Sequence, residues 1–315
     1  MFAVIDLVIP LFGLIFIGFL AGRIMKIPLD GLRWMNFFIV YIALPALFFR
    51  LLSRTPIEQF ANVTFIAASV FATLVVFVLV FVIGGLLNRG NVAESTIQGF
   101  AGAYGNIGYM GPPLAIAAFG PEAGVPVALI FCFENSMHFT LAPLLMGLHS
   151  DQGQTVAQLV KEILFKIFTH PFIVATIIGV LAAIIEWQPP NSIGNLLEFL
   201  SGAAAPCALF AMGVTAALKP LKRVPLELSY IVPIKLIVHP VLCYVLLRLL
   251  VPDVEPIWRY SAVLLAALPS ATNVFVIAQQ YGVWQERASS AVVISTLAAT
   301  VTVTGFLYLA LEKLI

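Results

Sequence analysis

Between about Ile97 and Phe119 the chain is apolar for the length of a bilayer crossing. In the middle of that run stands Tyr104-Gly105-Asn106-Ile107-Gly108-Tyr109-Met110-Gly111-Pro112-Pro113. A helix does not pass through such a stretch unchanged, because proline removes a backbone donor and crowds the preceding turn while glycine loosens the backbone. In lipid, the freed carbonyl and amide groups have no water to bond. Unwound backbone is tolerated there only where protein buries it or it lines a cavity. The stretch is therefore either a kink that packing repairs or a broken helix built to bind something, and the second reading is preferred.

The surroundings make that depth argument apply. Of 315 residues, 61% are hydrophobic and only 10% charged, with a mean hydropathy of +1.06. This is the composition of an all-α polytopic membrane protein. The apolar runs are continuous and do not alternate, which argues against a transmembrane barrel. A net charge of +1 argues against nucleic acid as a partner. The first run has no basic region or cleavage site ahead of it and reads as a retained span. Cys132, Cys207 and Cys243 lie within apolar segments without metal-ligand spacing, so no metal is expected and they read as core residues.

Ten segments of spanning length can be marked, at about 4–25, 31–52, 63–87, 97–118, 124–147, 163–187, 193–217, 226–250, 257–280 and 288–312. The longest connection, about His149 to Val160, is short and polar, which leaves no soluble domain. Cytoplasmic loops carry the excess of lysine and arginine. One side holds Arg23, Lys26, Arg33, Arg89, Lys161, Lys166, Lys219, Lys222, Arg223 and Arg287; the other holds Arg50, Arg54, Arg248, Arg259 and Lys313. Both termini are thus expected on the non-cytoplasmic side of the cytoplasmic (inner) membrane.

The text also repeats. Pro10 and Pro171, Gly18 and Gly179, Pro28 and Pro189, and Pro45 and Pro206 are each 161 positions apart, and Phe119-Gly120 matches Tyr281-Gly282 at 162. Residues 1–150 and 151–315 thus form two repeats of five spans. An odd number of spans makes the second repeat cross in the opposite sense, the inverted plan of secondary transporters with substrate held at discontinuous helices near the midplane. Applying the offset to Gly105–Pro113 lands on Ala267-Leu268-Pro269-Ser270-Ala271-Thr272-Asn273-Val274-Phe275, again a proline and small polar residues within an apolar run. The fourth and ninth spans are therefore expected to be broken and to cross, with breaks at Gly108, Gly111, Pro112, Pro113 and Pro269.

Several side chains could carry chemistry. Asn106 follows the unwinding Gly105 and offers both an amide donor and an acceptor; the alternative is a cap for freed backbone groups. Ser270, Thr272 and Asn273 are the polar set of the ninth span, either contacting substrate or bonding back to repair the kink. Helix N-termini after each break would suit an anion. Glu134 and His138, four apart in mid-membrane, could pair, and so could Lys235 and His239; buried ionisable groups invite a coupling or charge role. His170, directly before Pro171, reads as a structural helix start. There is no phosphate loop, paired metal-binding histidine set or nucleophile with an oriented base, so no enzyme and no cofactor are expected.

The motifs Asn106–Pro113 and Leu268–Gly282, with Ala43-Leu44-Pro45, Ala211-Met212-Gly213-Val214 and Ile234–Pro240, resemble the auxin efflux carrier family over essentially the whole chain. That family joins plant auxin exporters to bacterial malonate and malate permeases. The resemblance implies a scaffold of spans 1, 2, 6 and 7, a transport domain of spans 3, 4, 5, 8, 9 and 10, and a homodimer. It implies that Asn106 contacts a substrate carboxylate, flanked by Gly105 and Tyr109, and that Asn135 and Phe139 line the pocket. Plant carriers have a tyrosine where this chain has Phe139, which counts against an indole-type auxin. The expectation is a secondary transporter of small organic anions such as malonate or malate, working by elevator-type alternating access. An exporter of auxin-like acids and a ligand-sensing receptor on the same fold stand as alternatives. Coupling to sodium or protons is left open, and membrane lipids are the remaining partner.

Overall fold

A computed structural model describes residues 2–25, 29–147, 156–218 and 224–312, and every regular element among them is helical. Lys26, Pro28, Lys219, Lys222, Arg223 and Lys313, used above for orientation and repeat, lie outside the described residues. In chain order the helices are α1 (Phe2–Met25), α2 (Arg33–Leu52), α3 (Val63–Leu87), α4 (Val92–Ala103), α5 (Gly111–Phe119), α6 (Gly124–Gly147) and α7 (Val156–Phe168). They continue with α8 (Pro171–Ile184), α9 (Asn191–Leu218), α10 (Leu228–Leu250), α11 (Pro256–Ala267), α12 (Thr272–Tyr281) and α13 (Gln285–Leu311).

Six of the described helices, α2, α3, α6, α9, α10 and α13, are long and apolar enough to cross a membrane, and α7 with α8 makes a seventh if the bent pair counts as one. The chain is a multi-pass helical membrane protein. The helices α4, α5, α11 and α12 are short because the backbone breaks where glycine and proline stand. The 12 residues of α4 or α11 span about 18 Å at a rise of about 1.5 Å per residue, against roughly 30 Å of hydrocarbon. Each therefore ends partway through the apolar layer.

The sixth apolar segment departs from its expected form. It was expected to run unbroken over about 163–187, but α7 and α8 meet at a bend of 64°. Pro171 has no N–H and its ring drives the preceding residue out of helical conformation, so His170 is extended (φ −70°, ψ 123°). The stretch before it, expected as loop to Val160, is helical from Val156.

Two further prolines act more gently. In α2 the turn Ile39–Ala43 widens to π geometry ahead of Pro45, and in α10 Ile234–Val238 does so ahead of Pro240. Each proline lacks the donor that the regular ladder needs, and a wide turn accommodates the gap without ending the helix. Both wide turns face the breaks: Val40 and Lys235 lie in them.

Packing brings the helices to the breaks in a fixed order. Helix α1 lies along α9 at backbone contact, since a Cβ on Gly213 would run into the Ile15 carbonyl and one on Gly18 into that of Phe210. Helix α2 packs on α8 and α9, and α3 on α4 and α10. An aromatic cluster of Phe48, Phe131 and Phe172, with ring centroids 4.8–5.6 Å apart, joins α2, α6 and α8 beside the first break.

Candidate functional site

The two breaks meet. Tyr104 ends α4 in extended conformation and Leu268 ends α11 the same way, because neither following segment can continue its helix. The Asn106 amide donates to the Pro269 carbonyl at 2.8 Å, and the Ala271 amide donates to the Tyr104 carbonyl at 2.8 Å. Gly105 and Ser270 thereby form a single antiparallel bridge. Each break supplies the partners that the other lost, which is how unwound backbone survives inside an apolar layer.

Side chains complete the repair. The buried Ser270 hydroxyl donates to the Ala101 carbonyl at 2.6 Å, and the Ser270 amide donates to Ser295 Oγ at 3.1 Å. The Tyr104 hydroxyl donates to Asn135 Oδ1 and accepts from Asn273 Nδ2 at 2.8 Å. His138 stacks flat on the Tyr104 ring, with centroids 3.9 Å apart and planes 5° from parallel.

Beneath the crossing runs a chain of buried polar groups. Lys235 Nζ donates to the Ala266 carbonyl at 2.6 Å and lies 3.1 Å from His239 Nδ1. His239 Nε2 is 3.1 Å from Thr73 Oγ1, which donates to Glu134 Oε1 at 2.7 Å. With the proton of His239 on Nε2, an assignment made from the network, every bond runs one way from Lys235 to Glu134. A Cβ at Gly105 would sit 3.4 Å from Lys235 Nζ, so the lysine nitrogen lies directly under the first break. Buried polar groups of this kind persist only when hydrogen-bonded, and in this chain of four each one is.

Above the crossing is a cavity of about 80 Å³, lined by Tyr104, Gly105, Asn106, Gly108 and Tyr109 from the first break and Ala271, Thr272 and Asn273 from the second. The far wall is Val40 of α2, Phe131 of α6, and His170 and Phe172 at the start of α8. No lysine or arginine lines it. Asn106 Nδ2 points at Met212 Sδ, 3.0 Å away. A thioether is a weak acceptor, so a carboxylate oxygen would be the better partner for that donor. An adjoining cavity of about 160 Å³ shares Tyr109 and Thr272 and carries Asn36, Thr215 and Gln279.

The predicted residues thus divide. Gly105, Asn106, Tyr109, Thr272 and Asn273 come together on the cavity, beside Gly108. Ser270 and Asn135 stand behind it and hold Ala101 and Tyr104. Phe139 lies beyond the lining, 5.2 Å from the His170 ring. Glu134 and His138 share a helix face but serve different neighbours: Glu134 bonds Thr73, and His138 stacks on Tyr104. Lys235 and His239 do meet. Gly111, Pro112 and Pro113 open α5, and Pro269 accepts the Asn106 bond. His170, read as a helix start only, is one and also lines the cavity. Thr73, Phe131 and Phe172 carried no sequence signal.

Comparisons with known proteins give the family of the chain. The family profile described as Membrane transport protein matches residues 3–307. A provisionally named malonate transporter of Rhizobium meliloti (strain 1021) is 58% identical over 303 residues, covering 96% of this chain and 94% of that protein. An uncharacterized transporter of Methanothermobacter thermautotrophicus is 23% identical over 94% of this chain and 95% of its own length. The lysosomal cholesterol signaling protein of Mus musculus is 24% identical over 90% of this chain but only 35% of its own. The chain belongs to the Membrane transport protein family, the auxin efflux carrier family whose motifs its two broken segments carry.

Proposed function

We propose that this protein is a secondary transporter of short organic anions, with malonate and malate as the leading substrates. One observation carries the reading: two broken helices pair through their backbones and present Asn106, Thr272 and Asn273 to one small cavity. Amide and hydroxyl donors beside helix N-termini suit a carboxylate without fixing it as tightly as an arginine would. The size of the cavity, about 80 Å³, favours a short acid over an indole or sterol, since pockets for drug-sized ligands run to roughly 300 Å³ or more. The printed name of the Rhizobium meliloti relative points the same way.

Transport proceeds by an elevator. Helices α3–α6 and α10–α13 carry the crossing past a scaffold of α1, α2 and α7–α9, the ten spans forming two inverted repeats. The glycine-mediated seam of α1 and α9 supports a rigid scaffold, and the bridge at Gly105 and Ser270 supports a carrier that moves as one piece. The protein works as a homodimer in the cytoplasmic membrane, both termini on the non-cytoplasmic side.

A second reading is a ligand-responsive receptor, favoured by the signaling name of the mouse relative. Purified protein in liposomes, tested with labelled malonate, malate and indole-acetate, separates the two. Saturable flux lost in Asn106→Ala supports the transporter. Binding without flux, with or without ion gradients, overturns it in favour of the receptor.

A further inference from the structure

Two cavities adjoin at the crossing, and one side chain stands where they come together. Asn106 lines the smaller, of about 80 Å³, and Met212 of α9 lines the larger, of about 160 Å³. Asn106 Nδ2 and Met212 Sδ are 3.0 Å apart. The sulfur lies near the end of its side chain, so the tip of Met212, not its stem, fills the gap between the two spaces. Both residues are buried, Met212 at 7% exposure and Asn106 at 3%, so their contact is a packed one. Tyr109 and Thr272 line both cavities and make up the rest of the boundary. The backbone behind Met212 is firmly seated. A Cβ on the next residue, Gly213, would run into the Ile15 carbonyl of α1, and one on Gly22 would lie 2.8 Å from the Ala217 Cβ further along α9. To close over a gap at position 212, α9 would have to give up that seam, and spaces left by truncated side chains refill only in part. Beyond the partition, Asn36 of α2 and Gln279 of α12 bring amides to the larger cavity. Thr215 adds a hydroxyl oxygen whose proton goes to the Ala211 carbonyl at 2.8 Å.

We propose that Met212 is a specificity-determining residue: its side chain closes the smaller cavity against the larger one and so sets the upper length of the acid that the protein accepts. The proposal rests on the transporter reading above and adds what limits the substrate. A short dicarboxylate stays on the Asn106 side of the barrier. A longer one must drive its far carboxylate into a thioether, which has no proton to donate. With the methionine tip removed, that carboxylate reaches the amides of Asn36 and Gln279. Methionine is unbranched and turns about three bonds, so it fills an irregular gap between two helices that must also part.

Flux of malonate, glutarate and adipate, dicarboxylates of rising length, into liposomes tests this as a ratio within each protein. Wild type should move malonate and carry adipate at a small fraction of that rate. Met212→Ala should raise the ratio of adipate to malonate flux by about tenfold or more, the low end of what one methylene decides in a closed pocket. Met212→Leu, which conserves bulk without the sulfur, should keep the ratio within about twofold of wild type. If the Ala variant does not fold, Met212→Val, which keeps more of the packing, should move the ratio in the same direction. An unchanged ratio in the Ala or Val variant overturns the proposal, and so does a Leu variant that admits adipate. Wild type that moves adipate as well as malonate overturns it too, while leaving the transporter standing. Wild-type protein that neither binds nor moves any of these acids overturns the transporter and the length limit together.

Discussion

The Asn106 amide donates to the Pro269 carbonyl at 2.8 Å across two segments that are 163 positions apart in sequence. Through that bond and its partner from Ala271 to Tyr104, two defective helices become one intact element. The residue that presents its side chain to the cavity also ties its backbone to the opposite break. Asn106→Asp keeps the backbone bond and replaces the amide donor with a carboxylate facing the anion. We expect it to lose malonate flux as completely as the alanine variant. Flux close to wild type would remove Asn106 from the site.

Ser270 is the fastener of the second break. Without its hydroxyl the Ala101 carbonyl has no partner in an apolar setting. Ser270→Ala should cost about 1–2 kcal/mol, near the upper range for buried polar contacts between membrane helices. Thermal unfolding in detergent reads it as a lowered midpoint, and Ser270→Thr, which keeps the hydroxyl, should lose less than Ser270→Ala.

Thr73 joins Glu134 to His239, and a change there separates the two ends of the polar chain. Thr73→Val preserves shape and leaves two buried polar groups short of a partner, a loss of about 1–3 kcal/mol for each. Thr73→Ser should retain most of the stability. In a double-mutant cycle, Thr73→Val and Glu134→Leu should fall short of additivity by about 0.5 kcal/mol or more, because the same bond is removed twice. Strict additivity would break the chain as described.

Tyr104 holds Asn273 at the cavity edge and rests against Asn135. Tyr104→Phe removes both bonds while keeping the ring that stacks on His138. Malonate affinity should fall about tenfold as Asn273 loses its anchor, an effect of about 1.4 kcal/mol. Asn135→Ala should show a smaller loss, since Asn273 keeps the tyrosine hydroxyl. Calorimetric titration of both variants ranks them.

Gly213 is where α1 and α9 touch most closely. A side chain there meets the Ile15 backbone, which cannot swing aside as a side-chain tip could. Gly213→Val should cost about 3 kcal/mol or more through overpacking, and Gly305→Ala, with open space around it, only about 1 kcal/mol or less. Equal midpoints for the two would show that the helices part without penalty.

The breaks were legible in the sequence because glycine and proline declare themselves and the offset near 161 says where to look twice. Asn106, Thr272 and Asn273 were legible for the same reason, as polar residues beside a break. His170 was harder. A residue before proline is forced out of helical conformation whether or not it binds anything, so the sequence marks the bend at Pro171 without giving its use. Thr73 gave no signal, since one threonine in an apolar helix reads as a hydroxyl bonded to its own preceding turn. The pairing of Glu134 with His138 failed for a geometric reason. Four-residue spacing places two side chains on one face, but neighbouring helices decide whether they turn toward each other, and here Thr73 and Tyr104 draw them apart.

The crossing supplies one wall of the cavity, and α2, α6 and α8 supply the other. Asn106, Thr272 and Asn273 hang from the crossing, whereas Val40, His170 and Phe172 hang from α2 and α8. In the elevator proposed above, the crossing would slide away from the wall of α2 and α8, so an anion held between them would leave with one set of contacts and lose the other.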